Sequence, residues 1–449
     1  MRITIITILS LLTFGTSQAQ IISRDQACED IDSLIYTLSE VHPNLYCHTT
    51  ISDFNNAIMN IKTELNDSVN SIELFNSLAP VISQLGDAHT GMVFPYKRVM
   101  SQVNKYLPIY PTVDNNTGKL YVKASVDNVI PYDSEIISIN GNSAEQIITK
   151  LKTYVSGERD FFKLTMVDNN MIGLFHMLYS SNEYKIVYRE NNKEQTNEKT
   201  VQAVDGEVLN SRMVLSPKIL KLIEEHKDNV AYSFRILDNT SIAVMNFDAC
   251  YDVKGMEVFA DSMFTTLKQK GVKNLIIDIR LNGGGNSNVG DALLRYISPK
   301  PFTQYGKAYT RITPTTKLLG GGKKLTPGIY FYPENKKELK EPLPSDSRFK
   351  GNVFLLTSHT TFSSASSFAW AFKYYGCGTV IGEETGGMSV HYGDVLTYIL
   401  PHSKLLCNIS HKCFWQPGAD ETSIHGVIPD IITKQDSALE TAINIIQKQ

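Results

Sequence analysis

Apolar residues recur at helical spacing in three stretches near the start of the chain. Ile31, Leu34, Ile35, Leu38 and Val41 mark the first helix, with Ser23 and Gln26 placed as a capping box. His42-Pro43 stops it, because the residue before proline disfavours the helical backbone. Phe54, Ile58, Ile61 and Leu65 mark a second helix. Leu74, Phe75, Leu78, Val81, Ile82 and Leu85 mark a third, with Asn70 and Glu73 near its start. The pattern then changes. Lys119 to Ala124 and Glu135 to Ile139 alternate as strands do, and Asn140-Gly141 is a strong turn signal. Asn182 to Val204 is polar, with a strand-like Tyr184 to Tyr188 inside it. From about residue 231 the order is strand, helix, strand. Ser241–Phe247, Asn274–Ile279, Asn352–Thr357, Thr379–Gly382 and Val395–Leu400 read as strands. Lys254–Lys270 and Ser363–Tyr375 read as helices. Such alternation predicts an α/β layer with mostly parallel strands. Residues 300–350, rich in Gly, Lys and Pro, read as a long surface excursion.

The very start does not fit this scheme. Met1-Arg2 is followed by an apolar run from Ile3 to Phe14, and Ser17-Gln18-Ala19 supplies small residues at a cleavage site. The run is shorter than the ~20 residues of a membrane span. It predicts a secretory signal peptide cut after Ala19 and an exported, periplasmic or secreted protein. No later segment is predicted to cross a bilayer. The 449 residues suggest about three domains. The predicted boundaries are 1–19 for the signal peptide, 20–100 for a helical region, 101–230 for a β-rich middle domain and 231–449 for the α/β core.

A net charge of -3 leaves no basic excess to condense onto phosphates, so no nucleic-acid partner is predicted. Six cysteines are too few for a disulfide scaffold in a chain this long. Cys28 with Cys47, and Cys407 with Cys413 across an expected hairpin, are the candidate pairs. Cys250 and Cys377 read as small core hydrophobes. Cys407, His411 and Cys413 fit no regular zinc spacing, and no metal or organic cofactor is predicted.

Three positions carry candidate chemistry. Thr361-Phe362-Ser363-Ser364-Ala365 follows a buried strand and opens a helix, which exposes a serine oxygen beside helix-start amides. The G-x-S-x-G elbow is absent around it. Asp278-Ile279-Arg280-Leu281-Asn282-Gly283-Gly284-Gly285 leaves glycine amides uncovered after a strand, a cradle for an oxyanion. It matches neither a P-loop nor a dinucleotide fingerprint. His89, in Gly86-Asp87-Ala88-His89-Thr90, is a candidate general base in a polar turn.

Together these segments resemble the tail-specific (C-terminal-processing) and tricorn-core serine peptidase family. Val380-Ile381-Gly382-Glu383-Glu384-Thr385-Gly386-Gly387 and Gly426-Val427-Ile428-Pro429-Asp430 add two more motifs in family order. The resemblance implies a crotonase-like (ClpP-like) spiral α/β core. It implies Ser363 as nucleophile, Gly284 and the Ser364 amide as oxyanion hole, and a peptide or protein substrate. The tail-specific branch carries a lysine base where this chain has Met388, so the resemblance turns to the tricorn-like branch, whose base is a histidine at the place of His89. That branch has a glutamate where this chain has Ser423. Glu421 lies two residues earlier and is the candidate acid, with Asp420 and His425 nearby. Val129 to Gly141 resembles the second half of a PDZ domain, a module that adds extended peptides to a sheet edge. The reading is an exported serine peptidase. The alternative is a weak or inactive binding protein on the same fold, for which interphotoreceptor retinoid-binding protein is a relative that carries ligands.

Overall fold

Helix α1 (Arg24–Val41) starts where Ser23 Oγ accepts from the Gln26 amide and Gln26 Oε1 accepts from the Ser23 amide. Two amides without partners inside the helix are thereby satisfied. Its last turn meets His42, whose backbone is extended before Pro43. Helix α2 spans Ile51–Glu64, and α3 spans Ser71–Ile82 with the same reciprocal cap from Asn70 and Glu73. These elements come from a computed structural model that describes residues 20–228, 230–333 and 339–448. The leader and its cleavage point at Ala19 lie outside the described residues. Among the described residues no helix is long and apolar enough to cross a membrane.

The middle block contains β1 (Ile109–Val113), β2 (Leu120–Val126), β3 (Glu135–Ile139), β4 (Glu183–Arg189), β5 (Thr196–Gln202) and β6 (Met213–Leu215). They form an antiparallel sheet ordered β6-β2-β3-β4-β5, with β1 also on β2. Asn140 and Gly141 both take positive φ, 50° and 79°, as a tight two-residue turn requires. Helices α4 (Ala144–Lys152), α5 (Asp160–Asn169) and α6 (Met171–Tyr179) separate β3 from β4, and α7 (Pro217–Glu225) leads onward. Leu34, Phe54 and Phe75 of the first helices share one buried cluster with Val122, Ile136 and Ile186 of this sheet. The first two blocks therefore close around a common core.

The remaining strands are β7 (Tyr232–Ile236), β8 (Ile242–Phe247), β9 (Asn274–Asp278), β10 (Lys307–Ile312), β11 (Gly328–Tyr332), β12 (Asn352–Thr357), β13 (Thr379–Gly382), β14 (Val390–Ile399), β15 (Leu406–Trp415) and β16 (Ile431–Ile432). One sheet runs β7-β8-β9-β12-β13-β16 and is parallel except at β7. Its alternate faces are both covered. Ala243, Met245, Leu275 and Leu355 pack under α8 (Val253–Gln269), α9 (Ser287–Ile297) and α10 (Ser364–Tyr374). Ile242, Val244, Ile276 and Phe354 pack under α11 (Ala438–Gln447). Burial on both faces is why these strands read as continuous apolar runs.

Two expectations are corrected here. Residues 300–350 are not simply an excursion, because β10 and β11 join β14 and β15 in an antiparallel sheet ordered β11-β10-β15-β14. Cys407 and Cys413 do not flank a hairpin. Both lie on β15, six residues apart, which is roughly 20 Å along a strand. A disulfide needs Cα atoms within about 7 Å. All six cysteines are unbridged, Cys28 and Cys47 included.

Candidate active site

The parallel pair β9 and β12 places two loops side by side at the carboxyl ends of the strands, where open α/β sheets bind ligands. The glycine loop follows β9 and the serine loop follows β12. They are stitched together. Phe362 N–H donates to the Asn282 carbonyl at 3.1 Å, Thr361 Oγ1 to Ile279 O at 3.0 Å, Ser358 Oγ to Arg280 O at 2.6 Å and Ser364 Oγ to Gly285 O at 2.7 Å. The turn after β13 closes over them, with Gly386 N–H donating to Thr361 O at 2.8 Å.

Ser363 sits at the head of α10 with φ 53° and ψ -129°. A non-glycine residue there carries about 1–3 kcal/mol of backbone strain. No hydrogen bond engages its Oγ among the described residues. The Ser364 amide is the first of α10, so it has no carbonyl within the helix to donate to. Gly284 lies directly against Ser363. A Cβ on Gly284 would come within 2.7 Å of Ser363 Cβ and 2.8 Å of Phe362 O, at φ +99°. Only glycine fits this approach. Its amide, however, already donates to Asn282 Oδ1 at 2.9 Å.

His89 reaches the same place from the N-terminal region. Its ring stacks on Phe362, the neighbour of Ser363, with centroids 4.4 Å apart and planes 26° apart. Four further rings extend the stack. Phe162 of α5 lies on the far side of Phe362 at 4.5 Å, and His391 lies 5.9 Å from His89. Phe414 then stacks 5.5 Å from His391, and Tyr305 4.8 Å from Phe414. Among the described residues His89 Nδ1 is buried without a hydrogen-bond partner, and no hydrogen bond joins the ring to Ser363. Burial lowers the basicity of His89, opposed by the charge of Asp87 and by the Tyr392 carbonyl.

Asp87 organises this turn. Its buried carboxylate accepts the Ser410 hydroxyl at 2.6 Å, the His89 amide at 2.9 Å and His42 Nε2–H at 3.2 Å. Because His42 Nδ1 accepts the Asn44 amide, Nε2 carries the proton. Burial alone would raise the Asp87 carboxyl. His42, the charge of His89 and Ser410 outweigh it and hold Asp87 well below the usual carboxylate range. His391 Nδ1–H donates to the Met388 carbonyl at 3.0 Å, and burial together with His89 pushes its pKa down to about 4.

Of the residues singled out in the sequence, Ser363, Ser364, Gly284 and His89 are brought together. Glu421 is not. It is exposed, and its Oε1 accepts from Lys307 Nζ at 2.9 Å and Trp415 Nε1 at 2.8 Å, away from His89. Ser423 and Asp420 are exposed in the same turn, and the His425 ring lies 5.5 Å from Trp370. The expectation for Glu421 fails because two residues of sequence proximity said nothing about which way a turn faces. Asp87, His42, Glu158 and His391 were not singled out. Asp87 had a signal, since an aspartate two residues before His89 can cap the His89 amide. The others had none beyond their residue type.

A hydroxyl at a strained strand-to-helix turn, with a free helix-start amide and an imidazole beside it, is an arrangement suited to serine-type peptidase chemistry. Residues 241–433 match the model described as peptidase family S41. Among solved structures, mature CPAF complexed with lactacystin matches with 14% identity over 95% of this chain and 97% of that chain, at a TM-score of 0.64. Mature CPAF alone matches with 14% identity over 95% and 96%, at 0.62. At this identity the likeness speaks for a shared fold, and it extends over nearly the whole of both chains.

Proposed function

We propose that the chain is an exported serine peptidase in which Ser363 is the nucleophile and His89 its general base. The observation that carries this is the stacking of His89 on Phe362 beside an unbonded Ser363 hydroxyl. In this reading His89 takes the Ser363 proton as Oγ attacks the scissile carbonyl. The oxyanion receives the Ser364 amide, and the Gly284 amide once it trades Asn282 Oδ1 for the substrate. His89 returns its proton to the leaving amine, and water then releases the acyl group. Asp87 favours the imidazolium through its charge, the part Glu421 was expected to play. The core is read as the crotonase-like spiral, with the middle block as a PDZ-like module that packs on it.

Labelling with a fluorophosphonate probe tests the assignment. Wild type is expected to react at Ser363, with labelling lost in Ser363→Ala and reduced about a thousandfold in His89→Ala, the scale of removing a general base. Equal labelling of wild type and Ser363→Ala rejects the nucleophile, and an unchanged rate in folded His89→Ala rejects the base. A second reading, a ligand carrier on this fold, is favoured by the missing hydrogen bond between Ser363 and His89. It predicts co-purified apolar ligand and no turnover of a peptide library.

A further inference from the structure

One segment of the middle block touches both halves of the site. Between α4 and α5 the chain runs through Ser156, Gly157, Glu158 and Arg159 before α5 presents Phe162. Phe162 lies flat on Phe362 at 4.5 Å, next to Ser363. Four residues earlier, Glu158 Oε1 accepts the Ala88 amide at 3.2 Å, in the turn between Asp87 and His89. Ser156 backs the same turn so closely that a Cβ on Gly91 would lie 2.9 Å from its Oγ. The turn is thus fixed at consecutive amides. His89 N–H goes to Asp87 Oδ1 and Thr90 N–H to the Asp87 carbonyl, both within the turn. Ala88 N–H alone of these three is held by a side chain from another block.

We infer that Glu158 is a positioning residue for the general base, holding the Ala88 amide so that the His89 ring stays registered on Phe362 beside Ser363. This rests on the reading of His89 as base. The chemistry of the surroundings suits a neutral acceptor. Glu158 faces Asp87 from the base turn and Lys163 from α5, while Cys47, in the loop after α1, feels its charge. Arg159 beside it is turned toward Glu384 at 3.9 Å, and His48 packs on Gly86. Burial, then the Asp87 charge, push its carboxyl up to about 8. At neutral pH the acid is therefore mostly uncharged and repels Asp87 little. Above that it ionises and adds a second negative charge to the turn of His89.

Glu158→Gln keeps an acceptor oxygen for Ala88 and never ionises, whereas Glu158→Ala removes the acceptor. Glu158→Ala is expected to lose about tenfold or more in kcat with KM little changed, since small misplacements of a reacting group cost rate rather than binding. Glu158→Gln is expected to restore the rate at pH 7. Observed by NMR on ring-labelled histidine, the His89 resonance of wild type is expected to shift again near pH 8, and that inflection is expected to vanish in Glu158→Gln. The inference is overturned by full kcat in Glu158→Ala, by Glu158→Gln as impaired as Glu158→Ala, or by identical His89 shifts in wild type and Glu158→Gln. If Glu158→Ala does not fold, the Glu158→Gln titration decides alone. Failure of the peptidase reading is seen separately, as wild type that no fluorophosphonate labels.

Discussion

Replacing Asp87 with asparagine keeps the side-chain shape and removes its charge. The native carboxylate accepts three donors, from Ser410, the His89 amide and His42. An asparagine oxygen can serve two of them, and its NH2 group must then face the third donor. At least one bond to an ionised acceptor is lost, worth about 1.5–3 kcal/mol. The charge acts separately on His89, whose protonated form it favours. For charges separated by the ~4–6 Å over which a carboxylate shifts a neighbour's proton affinity, the interaction is about 3–4 kcal/mol at an effective dielectric of about 20. Felt by the imidazolium of the transition state, that is about a hundredfold or more in rate. We predict that kcat/KM of Asp87→Asn falls about a hundredfold on a peptide substrate. The acid limb of its pH profile should move to lower pH, because His89 loses the charge that held its proton. The urea midpoint should fall as well. Asp87→Asn with a native circular dichroism spectrum, an unchanged rate and an unmoved acid limb would refute the reasoning.

Gly284→Ala places a methyl group 2.7 Å from Ser363 Cβ at φ +99°; fluorophosphonate labelling should drop at least about tenfold with the fold retained, and labelling at the wild-type rate counts against the proposed role of the glycine loop. His226 lies between Asp248 and Asp278, at 2.9 Å and 3.5 Å. Burial opposes its protonation, but the two carboxylates prevail and raise its pKa to about 9. A folded pKa above the unfolded ~6.5 means stability that is full below pH ~6.5 and lost as pH rises through 9. His226→Gln should remove about 3 kcal/mol of that dependence. Denaturation midpoints at pH 6 and pH 9.5 would show it, and equal slopes in both proteins would reject it.

The elements most legible in the sequence are those whose causes are local. Ser23 with Gln26 and Asn70 with Glu73 announce their helices because a cap is written within four residues. The buried strands of the parallel sheet are legible because both faces are apolar. β10 was missed because its partner β15 lies about a hundred residues away, and β11, which pairs with β10, is largely exposed. Ser363, Gly284 and His89 were legible through motifs. Their acid was not. Glu421 was near in sequence and is turned away, whereas Asp87, proposed in its place, lies in a turn whose facing only the packed structure supplies. Glu158 carries no motif, and its contact with Ala88 spans seventy residues.

The stacked rings have a consequence in time. Phe162, Phe362, His89, His391, Phe414 and Tyr305 are drawn from all three blocks of the chain. A ribosome delivers His89 first and must add 363 - 89 = 274 residues before Ser363 exists. At about 5–20 residues per second that is roughly 14–55 s. The strand bearing Phe414 follows later still. Throughout that interval the growing polypeptide lacks the assembled site proposed above, so its own unfolded segments are safe from it. For the proposed peptidase, latency during synthesis is thus built into chain order.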